Sequence, residues 1–216
     1  MTPSPPLTIV KLGGAVAESG GVTGWIAALR AGGQAMVLVP GGGSFAEAVR
    51  LSQRAMGYDD GLAHDLALVA MNQLGRVLVS LAPGLRLAAS LAQIRTILAL
   101  GQMPVWAVVP LARRANVPQN WDTTSDTLAL WLAQRLKPAR LLLIKARDAD
   151  MQAATLAAQQ RDGLIDRAFG GQWQRAPCAV FVAGPSALAT AAKRLQAGET
   201  PGVMLTPPSR GRHGAR

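Results

Sequence analysis

The feature that most constrains this chain is an alternation of short, unbroken apolar runs with longer segments of helical spacing. The runs are "LTIVKL" (7–12), "AMVLV" (35–39), "VWAVV" (105–109), "RLLLIK" (140–145), "AVFVA" (179–183) and a weaker "VML" (203–205). They are rich in β-branched residues and lack polar alternation, as strands buried on both faces should be. Between them helical spacing covers 22–31, 44–56, 60–80, 86–100, 123–136, 151–160 and 186–196. Strand and helix taking turns predicts a mostly parallel sheet with helices on both faces. Glycine and proline clusters such as "PGGG" (40–43), "APG" (82–84) and "AGPS" (183–186) mark the element ends. With 216 residues, 50% of them hydrophobic, the chain can bury one sizeable core.

In such sheets ligands bind beyond the carboxyl ends of the strands, where loops lead into helices. Two of the apolar runs end there in glycines: "VKLGGA" with Gly13 and Gly14, and "VPGGGSFAEAVR" with Gly41, Gly42 and Gly43. Consecutive glycines allow close backbone approach and can aim several N–H groups at one anion. Ser44 would open the following helix, whose positive end favours a phosphate. The spacing fits neither a Walker loop nor G-x-G-x-x-G. Lys11, near the end of a strand otherwise buried, must bring its ammonium to a polar site or to water. At such a site it can neutralise a phosphoryl group in flight.

"WDTTSDTLALWLAQRL" (121–136) clusters acids and hydroxyls ahead of an apolar helix. Thr123, Thr124 and Ser125 are N-cap candidates, but the cluster exceeds what a cap requires. Asp126 can hold catalytic lysines or help position magnesium, and Asp122 can contact a substrate amine or hydroxyl. "LLLIKARDAD" (141–150) puts Lys145 at a strand end and Arg147, Asp148 and Asp150 in the next loop. That loop suits nucleotide phosphates or is a solvated turn. His64, on the apolar segment "GLAHDLALVAMNQLG" (61–75), is a candidate substrate contact. The chain has 2 histidines and 1 cysteine, Cys178, which argues against a histidine or cysteine metal centre, and no metal-ligand set is expected.

The net charge of +10 invites a nucleic-acid reading, but no basic block or interleaved aromatics support it. A basic chain equally suits phosphorylated anions. Nucleic acid is therefore not the expected partner. No apolar run approaches the ~18–20 residues of a membrane span, and "MTPSPPLTIVKLGG" does not read as a secretory signal. Cytoplasm is the expected compartment.

Taken in order, these passages resemble the amino acid kinase superfamily. Lys-x-Gly-Gly comes first, then a Gly-Gly-Gly-Ser loop, then a Ser-Asp-Thr-led helix, then a strand ending in "KARDAD". The resemblance implies an α/β fold, a three-layer α/β/α open sheet of about eight mostly parallel strands. It spans 1–206 as a single domain and leaves 207–216 as a basic tail expected to be disordered. It also implies transfer of the γ-phosphoryl of ATP, with Mg2+, to a carboxylate or phosphate oxygen, usually in a homo-oligomer. Carried over by position, Lys11 stabilises the phosphoryl group while Gly13 and Gly14 donate backbone N–H groups. Gly41, Gly42 and Gly43 form the acceptor loop, Asp126 organises the lysines, and Lys145 lies on the nucleotide side.

"AHDLALVAMNQLG", "WDTTSD", "IKARDAD" and "VFVAGPSALATAAKRLQAGETPGVML" together are similar to the small archaeal-type kinases of methanofuran biosynthesis. These act on an aminomethylfuran methyl phosphate, whose phosphate and ammonium would suit the glycine loop and Asp122. The chain departs from the wider pattern in two places. Met151 stands where a glycine usually follows the acidic loop. "FGGQWQRAPC" (169–178) lacks the late catalytic lysine, leaving Lys145 or an arginine such as Arg147 as the second cation. Two rival expectations remain, a non-catalytic nucleotide or oxyanion binder of the same fold and a nucleic-acid binder.

Overall fold

A computed structural model of the protein describes residues 6–150, 154–176 and 178–207. The sheet is built outward from Thr8–Leu12 (β1), whose five residues are all buried. Met36–Pro40 (β2) pairs in parallel on one side of it and Arg140–Ile144 (β5) on the other. Beyond β2 lie Met103–Trp106 (β4) and then Leu85–Ala88 (β3). Beyond β5 lie Ala179–Ala183 (β6) and the short Val203–Met204 (β7). Among the described residues this gives a seven-stranded sheet in the order β3-β4-β2-β1-β5-β6-β7, in which β7 runs antiparallel to β6.

Helices cover both faces. In chain order they are α1 (Gly14–Glu18), α2 (Val22–Ala31), α3 (Gly43–Met56), α4 (Asp60–Leu81), α5 (Leu91–Ala99), α6 (Val109–Ala112), α7 (Ser125–Leu136), α8 (Leu156–Arg161), α9 (Phe169–Trp173) and α10 (Pro185–Gln196). Side chains alternate across a strand. Ile9 therefore packs with α7 and α9, while Val10 and Leu12 pack with α2 and α10. Each fully buried aliphatic side chain contributes about 1.5–3 kcal/mol. Because α7 is apolar all round, Leu128 to Ala133 are buried without interruption. Trp131 on α7 stacks on Trp106 of β4, with centroids 6.0 Å apart and planes 8° from parallel.

The expected α/β sheet and most of its elements are present, with local differences. A helix was expected over 86–100, but Leu85–Ala88 is an edge strand. The helix begins only at Leu91, where the Ser90 side chain accepts from Gln93 N at 3.2 Å. The run 105–109 is strand only to Trp106, and Pro110 in the first turn of α6 fixes the switch to helix. The helix expected over 151–160 starts at Leu156, capped by Thr155, and 151–153 lie outside the described residues. The expected tail from residue 208 onward lies outside them as well.

Candidate functional site

The same alternation that sorts the core also places the charges. Lys11 lies two residues after Ile9 and therefore faces α7. Lys145 lies two residues after Leu143, on the same face, just past the end of β5, the strand next to β1. Asp126 comes down on them from the first turn of α7. Lys145 Nζ donates to Asp126 Oδ2 at 2.6 Å. Lys11 Nζ stands 3.0 Å from Oδ1, an ion pair out of hydrogen-bond alignment. Asp126 is 2% exposed, so these charges exist only as a group.

Burial pushes the Asp126 carboxyl up, but the Lys11 and Lys145 ammoniums outweigh it and hold the group at about 2. Burial pulls Lys145 down to about 8, against the attraction of Asp126 and with help from Lys11. At neutral pH both groups remain charged.

The triad lines one of two cavities that share Trp121 and Thr124 in their walls. The larger, about 760 Å³, lies over the glycine loops against α3 and α4. Gly14, Gly42, Gly43, Ser44, His64, Thr124 and Ser125 all line it, as does the buried Thr123. The smaller, about 440 Å³, is lined by Lys11, Asp126, Lys145 and Asp122, and by Arg161, Asp166 and Arg167.

The glycines are needed chiefly for one another. A Cβ on Gly14 would meet Gly43 N at 2.1 Å, and one on Gly41 would meet Gly14 N at 2.4 Å. Two backbones are in contact, so their loops open onto one cavity floor. Gly43 also adopts a positive φ of +55°. Two of the expected backbone donors are already used: Gly13 N donates to Ile144 O at 2.9 Å and Gly41 N to Leu12 O at 2.8 Å. Gly14 and Gly43 open α1 and α3, where N–H groups lack intrahelical carbonyls.

The remaining candidates divide. His64 is buried in the wall of the large cavity, and burial lowers its pKa against the opposing charge of Asp65. Asp122 lines the small cavity rather than the large one, 3.9 Å from Arg167 Nη1. Arg147 donates to the Asp162 carbonyl, and Asp148 accepts from Ser186 N at 3.2 Å and Ser186 Oγ at 2.7 Å, binding the loop to α10. Asp150 is exposed and, like Arg147 and Asp148, lines neither cavity.

Trp121 carries no role in the sequence reading of its motif, yet it stands in the wall of both cavities. It donates through Nε1 to Gln53 Oε1 at 2.6 Å and carries Arg50 over its ring, 4.2 Å from the centroid. Glu18, Glu47, Arg161, Asp166 and Arg167 had no motif to announce them. For Asp166 and Arg167 the partners, Thr124 and Asp122, lie more than forty residues earlier in the chain.

Lys11, Lys145, Arg161 and Arg167 around the small cavity fit a polyphosphate nucleotide. The Asp126 and Asp166 carboxylates in its wall do not fit a protein-held Mg2+. Both Asp126 oxygens face ammoniums, and Asp166 is taken up by donors of α7. Among the described residues no three metal-ligating side chains cluster.

Fold and site thus define a three-layer α/β protein with a charge-paired centre beyond the carboxyl ends of its central strands. Residues 6–149 match the Amino acid kinase family, and the chain belongs to it. No curated protein sequence matches the chain. Among solved structures it is similar to the uridylate kinase of Archaeoglobus fulgidus, with a TM-score of 0.67 at 16% identity over 93% of this chain and 100% of that one. It is also similar to the UMP kinase of Bacillus anthracis, with a TM-score of 0.64 at 16% identity over 95% and 98%. For the UMP kinase of Ureaplasma parvum the TM-score is 0.59 at 13% identity over 84% and 90%. At these identities the likeness is one of fold. No described helix is long and apolar enough to cross a membrane.

Proposed function

We propose that this protein is a small-molecule kinase that moves the γ-phosphoryl of ATP onto a phosphate or carboxylate oxygen of a small acceptor. The observation that carries the reading is the buried Lys11–Asp126–Lys145 group in the wall of the small cavity, which shares Trp121 and Thr124 with the large one. ATP, bound on the side of the small cavity, would supply the phosphoryl group. A new bond joins its phosphorus to the acceptor oxygen as the bond to the β-phosphate oxygen breaks, releasing ADP. Lys11 and Lys145 meet the negative charge of the phosphoryl oxygens. Asp126 holds both ammoniums in place beforehand, so little reorganisation is needed at the moment of transfer. The glycine floor lets the acceptor approach closely, and the α3 N-terminus favours its anionic end.

The finer reading is a phosphorylated aminomethylfuran-type acceptor of methanofuran-like cofactor biosynthesis, and it rests on the sequence resemblance. The lining of the large cavity supports it. Trp121, Leu68, Met71 and Leu128 suit a small ring, Arg50 suits a phosphate, and Glu18 and Glu47 suit an ammonium, the role first expected of Asp122.

The test is a screen of phosphorylated and carboxylated acceptors with ATP and magnesium, following ADP release, with Lys11→Met beside the parent. Loss of one transition-state contact should lower kcat by about 10²–10³, or ~3–4 kcal/mol. Nucleotide binding that survives with no transfer in the parent protein would instead make it a non-catalytic member of the fold.

A further inference from the structure

Asp166 holds the N-terminus of the helix that carries Asp126, from a position forty-two residues after Thr124. Oδ2 accepts from Thr124 N at 2.8 Å, Thr124 Oγ1 at 2.9 Å and Thr127 N at 3.1 Å, and Oδ1 accepts from Thr127 Oγ1. Thr124 is the N-cap of α7, yet its hydroxyl makes no cap bond to its own helix. It is turned toward Asp166 instead.

We propose that Asp166 is a positioning residue for phosphoryl transfer, fixing the first turn of α7 through Thr124 and Thr127 and thereby the span of Asp126 across Lys11 and Lys145. The catalytic consequence rests on the kinase reading; the positioning itself does not. A cap alone would be supplied at less cost by the Thr124 hydroxyl, as Ser90 and Thr155 do for α5 and α8. Asp166 is instead a partly buried carboxylate in the wall of a cavity that already holds Asp126. Burial, then the Asp126 charge, raises its pKa against the hydrogen bonds from Thr127 and Thr124. The turn that presents it is held from both sides. Gln160 Nε2 donates to the Asp166 carbonyl at 2.7 Å and the Arg167 carbonyl at 3.0 Å, and Ala168 N donates to the Asp122 carbonyl at 3.0 Å. This latch joins the rim of the small cavity to the catalytic helix.

The charge of Asp166 reaches Lys145 as well. Lys145 is faced by Asp126 from α7, Lys11 from β1 and Asp166 from this turn. Asp122, Arg161 and Arg167 stand in the same cavity walls. Asp166 favours the protonated amine, so its neutralisation should move Lys145 titration to lower pH.

The experiment uses the full chain with Asp166→Asn, which keeps the shape without the charge, and Asp166→Ala, which removes the latch. Competitive acetylation of Lys145, read by peptide mass spectrometry across pH, should rise through about 8 in the parent. It should rise at lower pH in D166N, and the alkaline limb of kcat should move the same way. D166A should lose kcat on the order of a hundredfold, as a misplaced group does, with the KM for ATP unchanged. Acetylation and kcat profiles of D166N that superimpose on the parent would overturn the proposal. If the parent transfers phosphoryl to no acceptor, the kinase reading fails, and the acetylation profile still decides whether Asp166 sets the state of Lys145. Should D166A not fold, D166N decides alone.

Discussion

The two cavities meet at Trp121 and Thr124 but are built by opposite means. The floor of the large one is made of missing side chains, since Gly14, Gly41 and Gly43 let two loops touch backbone to backbone. The small one is made of charged side chains from β1, α7, the residue after β5, α8 and the turn that follows it, with Asp126 facing ammoniums and Asp166 facing α7. Shape does the work in the first and charge in the second. Damage to each should accordingly be read out differently, as geometry on one side and as pH dependence on the other.

The largest effect is expected on the charged side. Asp126→Asn leaves Lys11 and Lys145 buried without the carboxylate that pairs them, and breaking such a pair costs about 3–5 kcal/mol of stability. Denaturant unfolding at neutral pH measures it. The variant should also recover stability as pH rises. A lysine whose folded pKa lies below its unfolded value binds fewer protons folded than unfolded, so stability increases with pH between the two values. In the parent that window for Lys145 runs from about 8 to 10.5. Without Asp126 it opens lower still. A variant as stable as the parent at pH 7 would show that the lysines are solvated and that the two regions do not differ as described.

The second effect belongs to the glycine side. Gly14→Ala and Gly41→Ala each put a Cβ within 2.4 Å of backbone nitrogen, which no rotamer change relieves. About 1–3 kcal/mol should be lost to overpacking, together with a raised KM for the acceptor. Neither should change the pH dependence of kcat. Gly171→Ala is the control, because nothing lies within 4 Å of its new methyl and it sits in α9. It should be neutral or slightly stabilising. Equal destabilisation by all three would mean that the loop contact at Gly14 and Gly41 is not special.

This difference in construction also explains how much is legible in the sequence. Lys11, Gly41 to Gly43 and Asp126 stand beside the strand ends or helix start that place them, so local patterns give them away. The strand order is harder, because Leu85–Ala88 pairs with β4 only through tertiary contact and its "LRLA" is no less helical than the residues of α5 after it. Asp166 is harder still, a lone acid in "GLIDRAF" whose partners lie some forty residues earlier. Arg147 and Asp148 are hard to read for the converse reason. A charged loop at the right sheet edge looks the same whether it faces a nucleotide or, as here, Asp162 and Ser186.

The smallest effect concerns the wall that both regions share. Arg50 lies 4.2 Å from the centroid of the Trp121 ring and makes a long 3.7 Å ion pair with Glu47, on a side chain that is 43% exposed. Neither contact is worth much in water. A cation over an exposed ring contributes about 0.5–1 kcal/mol, and a surface pair at i,i+3 less. Trp121 keeps its hydrogen bond to Gln53 without Arg50, so the ring should stay on α3. Arg50→Ala is therefore expected to lower stability by no more than about 1 kcal/mol in denaturant unfolding. It should also raise the acceptor KM while leaving the nucleotide KM unchanged, since Arg50 lines only the large cavity of the two. Arg50→Lys should recover part of the lost affinity by restoring charge without the planar stack. If both Michaelis constants rise together, Trp121 has moved and the two cavities are one compartment with a collapsible wall.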